Sequence, residues 1–295
     1  MAELEYFVVD VFTGTPFEGN PLAVVMNSCG LKTEQMQAIA QEFNLSETSF
    51  VERRGAGVER AEGVRVRIFT THEELNFAGH PTLGTATVLK LEAPETVREN
   101  TVTLALNVGA VPVRFEGARG TMTQRDPEFG AELDPAEVAQ LAGLRREDLD
   151  PHLRPQVVST GTAFAMVVLR SVEALQRLRV NQEEATGFLR KLGARWFYVL
   201  APAPGQSQSG AGWRARMQFY GGEDPATGSA AGCAISYLVQ HGAAASGETV
   251  HVRQGVEIGR PSDLFLSARN EAARVRDVRV GGSTVPVAKG RLFLP

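Results

Sequence analysis

Apolar and polar residues alternate through Arg65–Phe69 (RVRIF), the period-2 signature of a strand with one buried face. Two longer stretches, LKTEQMQAIAQEF from Leu31 and VEALQRLRVNQEEATGFLRKL from Val172, read as helices, each followed by a short apolar strand, TSFVE and RWFYVL. A polar segment, 119–155, separates these patterns and reads as a crossover. Within it Asp134 and Pro135 predict a short helix over Pro135–Leu141, an N-cap followed by a proline in the first turn. The small, polar stretch Ala201–Gly212 predicts a mobile hairpin loop.

These patterns occur twice. RVRIFTTHEELNFAGHPTLGTATVL, from Arg65, lines up with RARMQFYGGEDPATGSAAGCAISYL, from Arg214, without a gap. Arg65 and Arg214, Arg67 and Arg216, and Gly79 and Gly228 are each 149 positions apart. Upstream, FTGTPF from Phe12 resembles STGTAF from Ser159, at an offset of 147. Each half is expected to end on a strand that begins VG and closes VPV, Val108–Val113 and Val280–Val287. The order of elements predicts a duplicated α+β domain. Its first half spans residues 1–118, completed by a C-terminal strand at 284–295, and its second half 119–283.

Composition narrows the function classes. Of 295 residues 43% are hydrophobic and 22% charged, and 30 Lys plus Arg against 34 Asp plus Glu leave a net charge of −4. That excludes the basic excess of a nucleic-acid binder, and the apolar runs fall short of the roughly 20 residues that span a bilayer. The segment MAELEYFVVDVF carries acids where a secretory signal would carry Lys or Arg, which points to a soluble, cytoplasmic protein. Two cysteines, Cys29 and Cys233, make neither a disulfide framework nor a thiolate metal site, and Cys233 reads as a small buried hydrophobe. The five histidines lack metal-ligand spacing, and HEELN at His72 lacks the second histidine of a zinc helix. There is no phosphate-binding G-x-x-x-x-G-K-[ST], no dinucleotide G-x-G-x-x-G and no G-x-S-x-G elbow, so the reading is of a protein without metal or cofactor.

Candidate chemistry sits where each half places a Gly-rich turn before a small-residue helix. Pro81 and Pro225 are expected in the first helical turns, and the N–H groups of Gly79 and Gly228 would face an anionic group in an interdomain cleft. Three polar residues do not recur in the other half: 149 positions away, Glu47 meets Trp196, His80 meets Ser229 and Asp224 meets Leu75. Duplicated packing therefore does not account for them. Glu47, entering a strand in NLSETSF, is either a half-buried general acid/base or a turn residue facing water. His80 either donates to a substrate or caps its helix. Asp224, before Pro225, has helix capping as its default role and substrate chemistry as the alternative.

VDVFTGTPFEGNPLAVV, NLSETSFV, FAGHPTLGTA, EDPATGSAAG and QGVEIGRPS stand in the order seen in PhzF-like proteins, and the chain resembles that phenazine-biosynthesis isomerase family from about Tyr6 to Ser262. The resemblance implies a diaminopimelate epimerase-like fold, two pseudo-symmetric α+β halves each with a barrel-like sheet around a central helix, and a cofactor-independent, cytoplasmic homodimer. It implies Glu47 as the acid/base that moves a proton between carbons of a small carboxylated substrate, as in isomerisation of dihydro-3-hydroxyanthranilate. His80, Asp224 and Ser229, with the backbone of Gly79 and Gly228, would bind that substrate. Related epimerases carry paired cysteines where this chain has Ala78 and Thr227, which disfavours two-thiol epimerisation. A non-catalytic binding protein and an amino- or hydroxy-acid epimerase are the alternative readings.

Overall fold

The computed structural model describes residues 2–203, 205, 212–219 and 222–294. The chain divides into two compact units, Met1–Thr123 with Gly281–Pro295, and Gln124–Val280. The hairpin loop expected within Ala201–Gly212 falls largely outside the described residues.

The first unit contains strands β1 (Ala2–Val11), β2 (Asn20–Val25), β3 (Thr48–Glu52), β4 (Val64–Phe69), β5 (Glu74–Leu75), β6 (Thr101–Leu106), β7 (Gly109–Glu116) and β8 (Arg119–Thr123), with helices α1 (Thr33–Phe43), α2 (Ala56–Glu62) and α3 (Gly79–Glu92). The second contains β9 (Glu128–Glu132), β10 (Gln156–Ser159), β11 (Ala163–Val168), β12 (Phe197–Pro202), β13 (Gly212–Arg216), β14 (Gln218–Phe219), β15 (Gly222–Glu223), β16 (Val250–Gln254) and β17 (Ser262–Glu271). Its helices are α4 (Pro135–Leu141), α5 (Val172–Gln176), α6 (Gln182–Lys191) and α7 (Gly228–Gln240). A last strand, β18 (Arg274–Leu294), gives its first residues to the second unit and the rest to the first.

In the first unit the strand order is β1-β2-β3-β4-β6-β7-β8-β18, and β18 also pairs antiparallel with β1, from Val11 opposite Thr284 to Ala2 opposite Leu294. The sheet thereby closes into a barrel, with β5 pairing only with β4 off the closed path. The second unit runs β18-β17-β16-β13-β12-β11-β10-β9. The pairing senses match: β2–β3 and β11–β12 are parallel, β3–β4 and β12–β13 antiparallel, β4–β6 and β13–β16 parallel. The starts of α1 and α6, β3 and β12, α3 and α7, and β6 and β16 are each 149 positions apart. Both halves are thus the same α+β motif.

Each unit is built on one buried helix. In α3 every residue from Gly79 to Leu89 is buried, and the helix packs on β1, β2, β6, β7 and β8. Such a helix must be apolar or small on all sides, because no face meets water. A Cβ at Gly84 would lie 2.6 Å from Leu22 and 2.8 Å from Val11, so glycine lets the helix approach β1 and β2. The counterpart α7 is buried from Ala230 to Val239 against β10, β11 and β17. On the outer faces, α1 seats Met36 and Ala40 against Val25, Phe50 and Phe69, while α4, α5 and α6 cover β11 and β12. The alternation of RVRIF appears as alternating burial along β4.

Three local expectations change. The stretch from Val172 forms two helices rather than one, because Asn181 caps α6 by accepting from the Glu184 N–H, and the carbonyls of Leu175 and Gln176 at the end of α5 bond Arg216 instead of continuing the helix. The VG…VPV likeness does not mark equivalent ends: Gly281 onward in β18 belongs to the first unit, where it pairs with β1 and β8. Pro81, the third residue of α3, stands in its first turn as expected, whereas Pro225 lies two residues ahead of the N-cap Thr227 and outside α7; Gly79 and Gly228 open the two helices. The Pro135–Leu141 helix has the boundaries and cap read from its sequence, with Asp134 accepting from the Ala136 and Glu137 N–H groups.

Candidate active site

In the first unit Glu47 stands just before β3, in the turn that follows α1, and its side chain is 18% exposed. It is neither a surface turn residue nor sealed in the core. His80 is the second residue of α3 and is buried, so its ring meets β-strand side chains rather than water. Burial alone pushes the imidazole down to about 3, which makes it neutral at physiological pH. Its Nε2 lies 3.4 Å from Glu47 Oε2, at the outer edge of hydrogen-bond reach. On the other side of the ring, Nδ1 lies 3.3 Å from Nδ2 of Asn20, the fully buried first residue of β2. An amide nitrogen only donates, so Nδ1 accepts and the ring proton sits on Nε2, facing Glu47. His80 therefore does not cap α3, whose N-cap Ala78 offers no side-chain acceptor. The loop ahead of Asn20 is latched by Asp10, whose buried carboxylate accepts the Phe17 N–H at 2.6 Å.

In the second unit Asp224 lies before Pro225 and does not cap α7. Its Oδ2 accepts a hydrogen bond from the Thr227 hydroxyl at 2.7 Å, and the cap hydroxyl is turned away from its own helix. Gln254, fully buried at the end of β16, fills the space behind this loop. Its Nε2 donates to the Asp224 carbonyl at 2.8 Å, and its Oε1 accepts from the Tyr198 hydroxyl at 2.9 Å. Gly228 opens α7, and half-buried Ser229 occupies the second helical position, the equivalent of His80. Both buried helices thus begin without a side-chain cap, leaving first-turn N–H groups to be met by something else. Among the described residues no three His, Cys, Asp or Glu side chains converge as metal ligands.

Each unit also carries an arginine–glutamate clamp that sequence reasoning missed. Arg67 of β4 holds Glu74 of β5 with two hydrogen bonds, and Arg216 of β13 holds Glu223 of β15 at 2.9 and 2.6 Å. Both clamps tie down the strand turn that leads into the Gly-rich loop. The signal was available, because Glu74 and Glu223 are also 149 positions apart. Asn20 and Gln254 had no such signal: each stands within a quoted motif, yet its partner comes from a distant element. Cys233 is buried, with its thiol pushed up to about 11, and Cys29 is exposed.

Comparison with known proteins agrees with this fold. The PhzC-PhzF model, phenazine biosynthesis-like protein, matches residues 9–290. The trans-2,3-dihydro-3-hydroxyanthranilate isomerase of Pseudomonas aeruginosa is 35% identical over 98% of this chain and 99% of its own length. Among solved structures, a PhzF-family phenazine biosynthesis protein from Bacillus anthracis superposes with a TM-score of 0.87 at 24% identity, covering all of both chains. A predicted epimerase from Pseudomonas aeruginosa superposes with a TM-score of 0.81 at 34% identity, over 99% of this chain and 100% of its own. With a family model matching nearly its whole length and full-length relatives that are named isomerases, the chain belongs to the PhzC-PhzF phenazine biosynthesis-like family and is an isomerase.

Proposed function

We propose that this isomerase moves a proton between two carbons of a small carboxylated, unsaturated substrate of the dihydro-3-hydroxyanthranilate type, with Glu47 as general acid/base and no cofactor. The ionised Glu47 takes a proton from one carbon, and the C–H electron pair shifts into the conjugated system. Glu47, now the acid and open to exchange of its proton with solvent, gives a proton to a second carbon, so the product is an isomer and the enzyme is regenerated. The His80 N–H orients the carboxyl without bringing a positive charge to it. Asp224 and Ser229 bind polar groups of the substrate, and the N–H groups of Gly79 and Gly228 face its carboxylate. The single observation that carries the reading is Glu47, half-shielded, beside a neutral histidine whose proton faces it. Family resemblance further supports a cytoplasmic homodimer.

The test is proton NMR of dihydro-3-hydroxyanthranilate with the purified protein in deuterated water. Isomerisation with solvent hydrogen exchange is expected, falling about 10²–10⁴-fold in Glu47→Gln while the fold persists. Unchanged turnover in that variant would refute the role of Glu47. Epimerisation of an amino or hydroxy acid is the second reading, favoured by the relative described as a predicted epimerase. Alanine at 78 and a threonine committed to Asp224 at 227 argue against it, and stereochemical inversion of such an acid by the pure protein would restore it.

A further inference from the structure

We infer that Gln254 and Thr227 form a one-way hydrogen-bond relay that delivers the Thr227 hydroxyl proton to Asp224, holding that side chain as an accept-only carboxylate. This assigns Gln254 and Thr227 as positioning residues and deepens the role proposed for Asp224, on which it rests. It commits the matching group of the substrate to be a hydrogen-bond donor, an amino or hydroxyl group.

The direction follows from donors and acceptors whose nature is fixed. Gln254 Oε1 lies 3.2 Å from the Thr227 backbone N–H, and Nε2 lies 2.8 Å from the Asp224 backbone carbonyl. A backbone N–H only donates and a carbonyl only accepts, so a flipped amide would oppose donor to donor and acceptor to acceptor. Nε2 also reaches Thr227 Oγ1 at 3.0 Å and must donate to it. The hydroxyl has one proton and already receives one, so its own goes to Asp224 Oδ2, 2.7 Å away. The Tyr198 hydroxyl, at 2.9 Å from Oε1, completes the amide's four bonds. Gln254 is fully buried, and burial is tolerable for a carboxamide only when it is satisfied in this way.

Two further observations agree. A threonine at an N-cap ordinarily accepts from its own helix, whereas Thr227 makes no such bond and faces Asp224. Gly255, after the glutamine, has φ +75°, and a Cβ there would sit 2.6 Å from the Pro225 carbonyl oxygen. The strand end and the 224–227 loop therefore touch backbone to backbone, which brings Gln254 within reach. Glu223 pairs with Arg216 and Glu257 with Arg214, and the Tyr198 hydroxyl stays protonated because burial raises its pKa. The relay thus supplies Asp224 with a donor from within its own loop.

The experiment follows the Asp224 side-chain ¹³C resonance against pH in the full-length protein without substrate, assigned by its loss in Asp224→Asn. Thr227→Val keeps the shape and removes the proton, and is expected to raise the Asp224 midpoint by about one pH unit, a tenfold change in ionisation constant. Thr227→Ser should stay within about a third of that shift. In Gln254→Glu the new carboxylate competes for the Thr227 proton and the midpoint should also rise. An unchanged midpoint in folded Thr227→Val, or an equal rise in Thr227→Ser, overturns the relay. Should Thr227→Val not fold, the wild type decides: scalar coupling between the Thr227 hydroxyl proton and the Asp224 carboxyl carbon is expected, and a coupling to Gln254 in its place overturns the direction. None of these readouts needs turnover, so the relay and the isomerase reading fail separately.

Discussion

The duplicated Arg–Glu clamps allow one interaction to be weighed in two environments within one chain. Arg216 and Glu223 are 4% and 6% exposed, and the arginine also donates to the carbonyls of Leu175 at 2.9 Å and Gln176 at 3.1 Å. Arg216→Met would leave the buried Glu223 carboxylate with only the 3.3 Å bond from Gln218, and would take one donor from each of the Leu175 and Gln176 carbonyls. Removing one partner of a buried pair costs about 3–5 kcal/mol. Arg67 and Glu74 are 16% and 23% exposed, and Arg67 also bonds the Thr33 hydroxyl at 3.0 Å. Water can re-solvate Glu74, so Arg67→Met should cost only about 1–2 kcal/mol. Both tryptophans, Trp196 and Trp213, lie in the second unit, so their fluorescence in urea reports that unit, and amide exchange along β4 reports the other. At roughly 2–4 °C per kcal/mol, Arg216→Met should lower the tryptophan-reported melting temperature by about 10 °C. Arg216→Met with Glu223→Leu should recover most of that, since an apolar pair leaves no orphaned charge. Equal losses for the two arginines, or a loss below about 1 kcal/mol for Arg216→Met, would refute the argument that desolvation sets the difference.

Buried, neutral His80 makes stability depend on pH: with its pKa depressed to about 3, the unfolded chain binds a proton below 6.5 that the folded chain does not. Stability should therefore fall on acidification, by about 1.4 kcal/mol from pH 7.5 to 5.5 for this group, and that increment should vanish in His80→Gln, read as the difference between urea midpoints. Asn20→Leu removes the donor to Nδ1. Nitrogen NMR should show the Nε2–H tautomer in the wild type and a mixture in the variant, with kcat falling at least tenfold, and a variant that keeps the wild-type tautomer would contradict the assignment. Iodoacetamide on the native protein should label Cys29 alone, because the buried Cys233 holds its thiol proton, and two labels per folded chain would contradict that burial.

What the sequence determined by itself is whatever repeats or is local. The register of 149 predicted the duplication because both copies keep the same order and length of elements, and it placed Gly79 with Gly228 at the starts of the two buried helices. The Asp134 cap was readable because a cap joins groups two or three residues apart. Glu47, His80 and Asp224 stood out as polar residues that break the repeat, which is a sequence property. What they touch is not. His80 meets Asn20 across 60 positions, and Thr227 meets Gln254 across 27, so only the folded sheet brings them together. At the break between α5 and α6 the carbonyls of Leu175 and Gln176 meet Arg216, some 40 residues downstream. A C-terminal strand at 284–295 that completes the first half is expected from the sequence, but its register against β1, from Val11 opposite Thr284 to Ala2 opposite Leu294, is set only in the sheet. Local pattern fixes an element and its buried face, but hydrogen-bond direction, protonation and strand register depend on partners that adjacency in the chain does not supply.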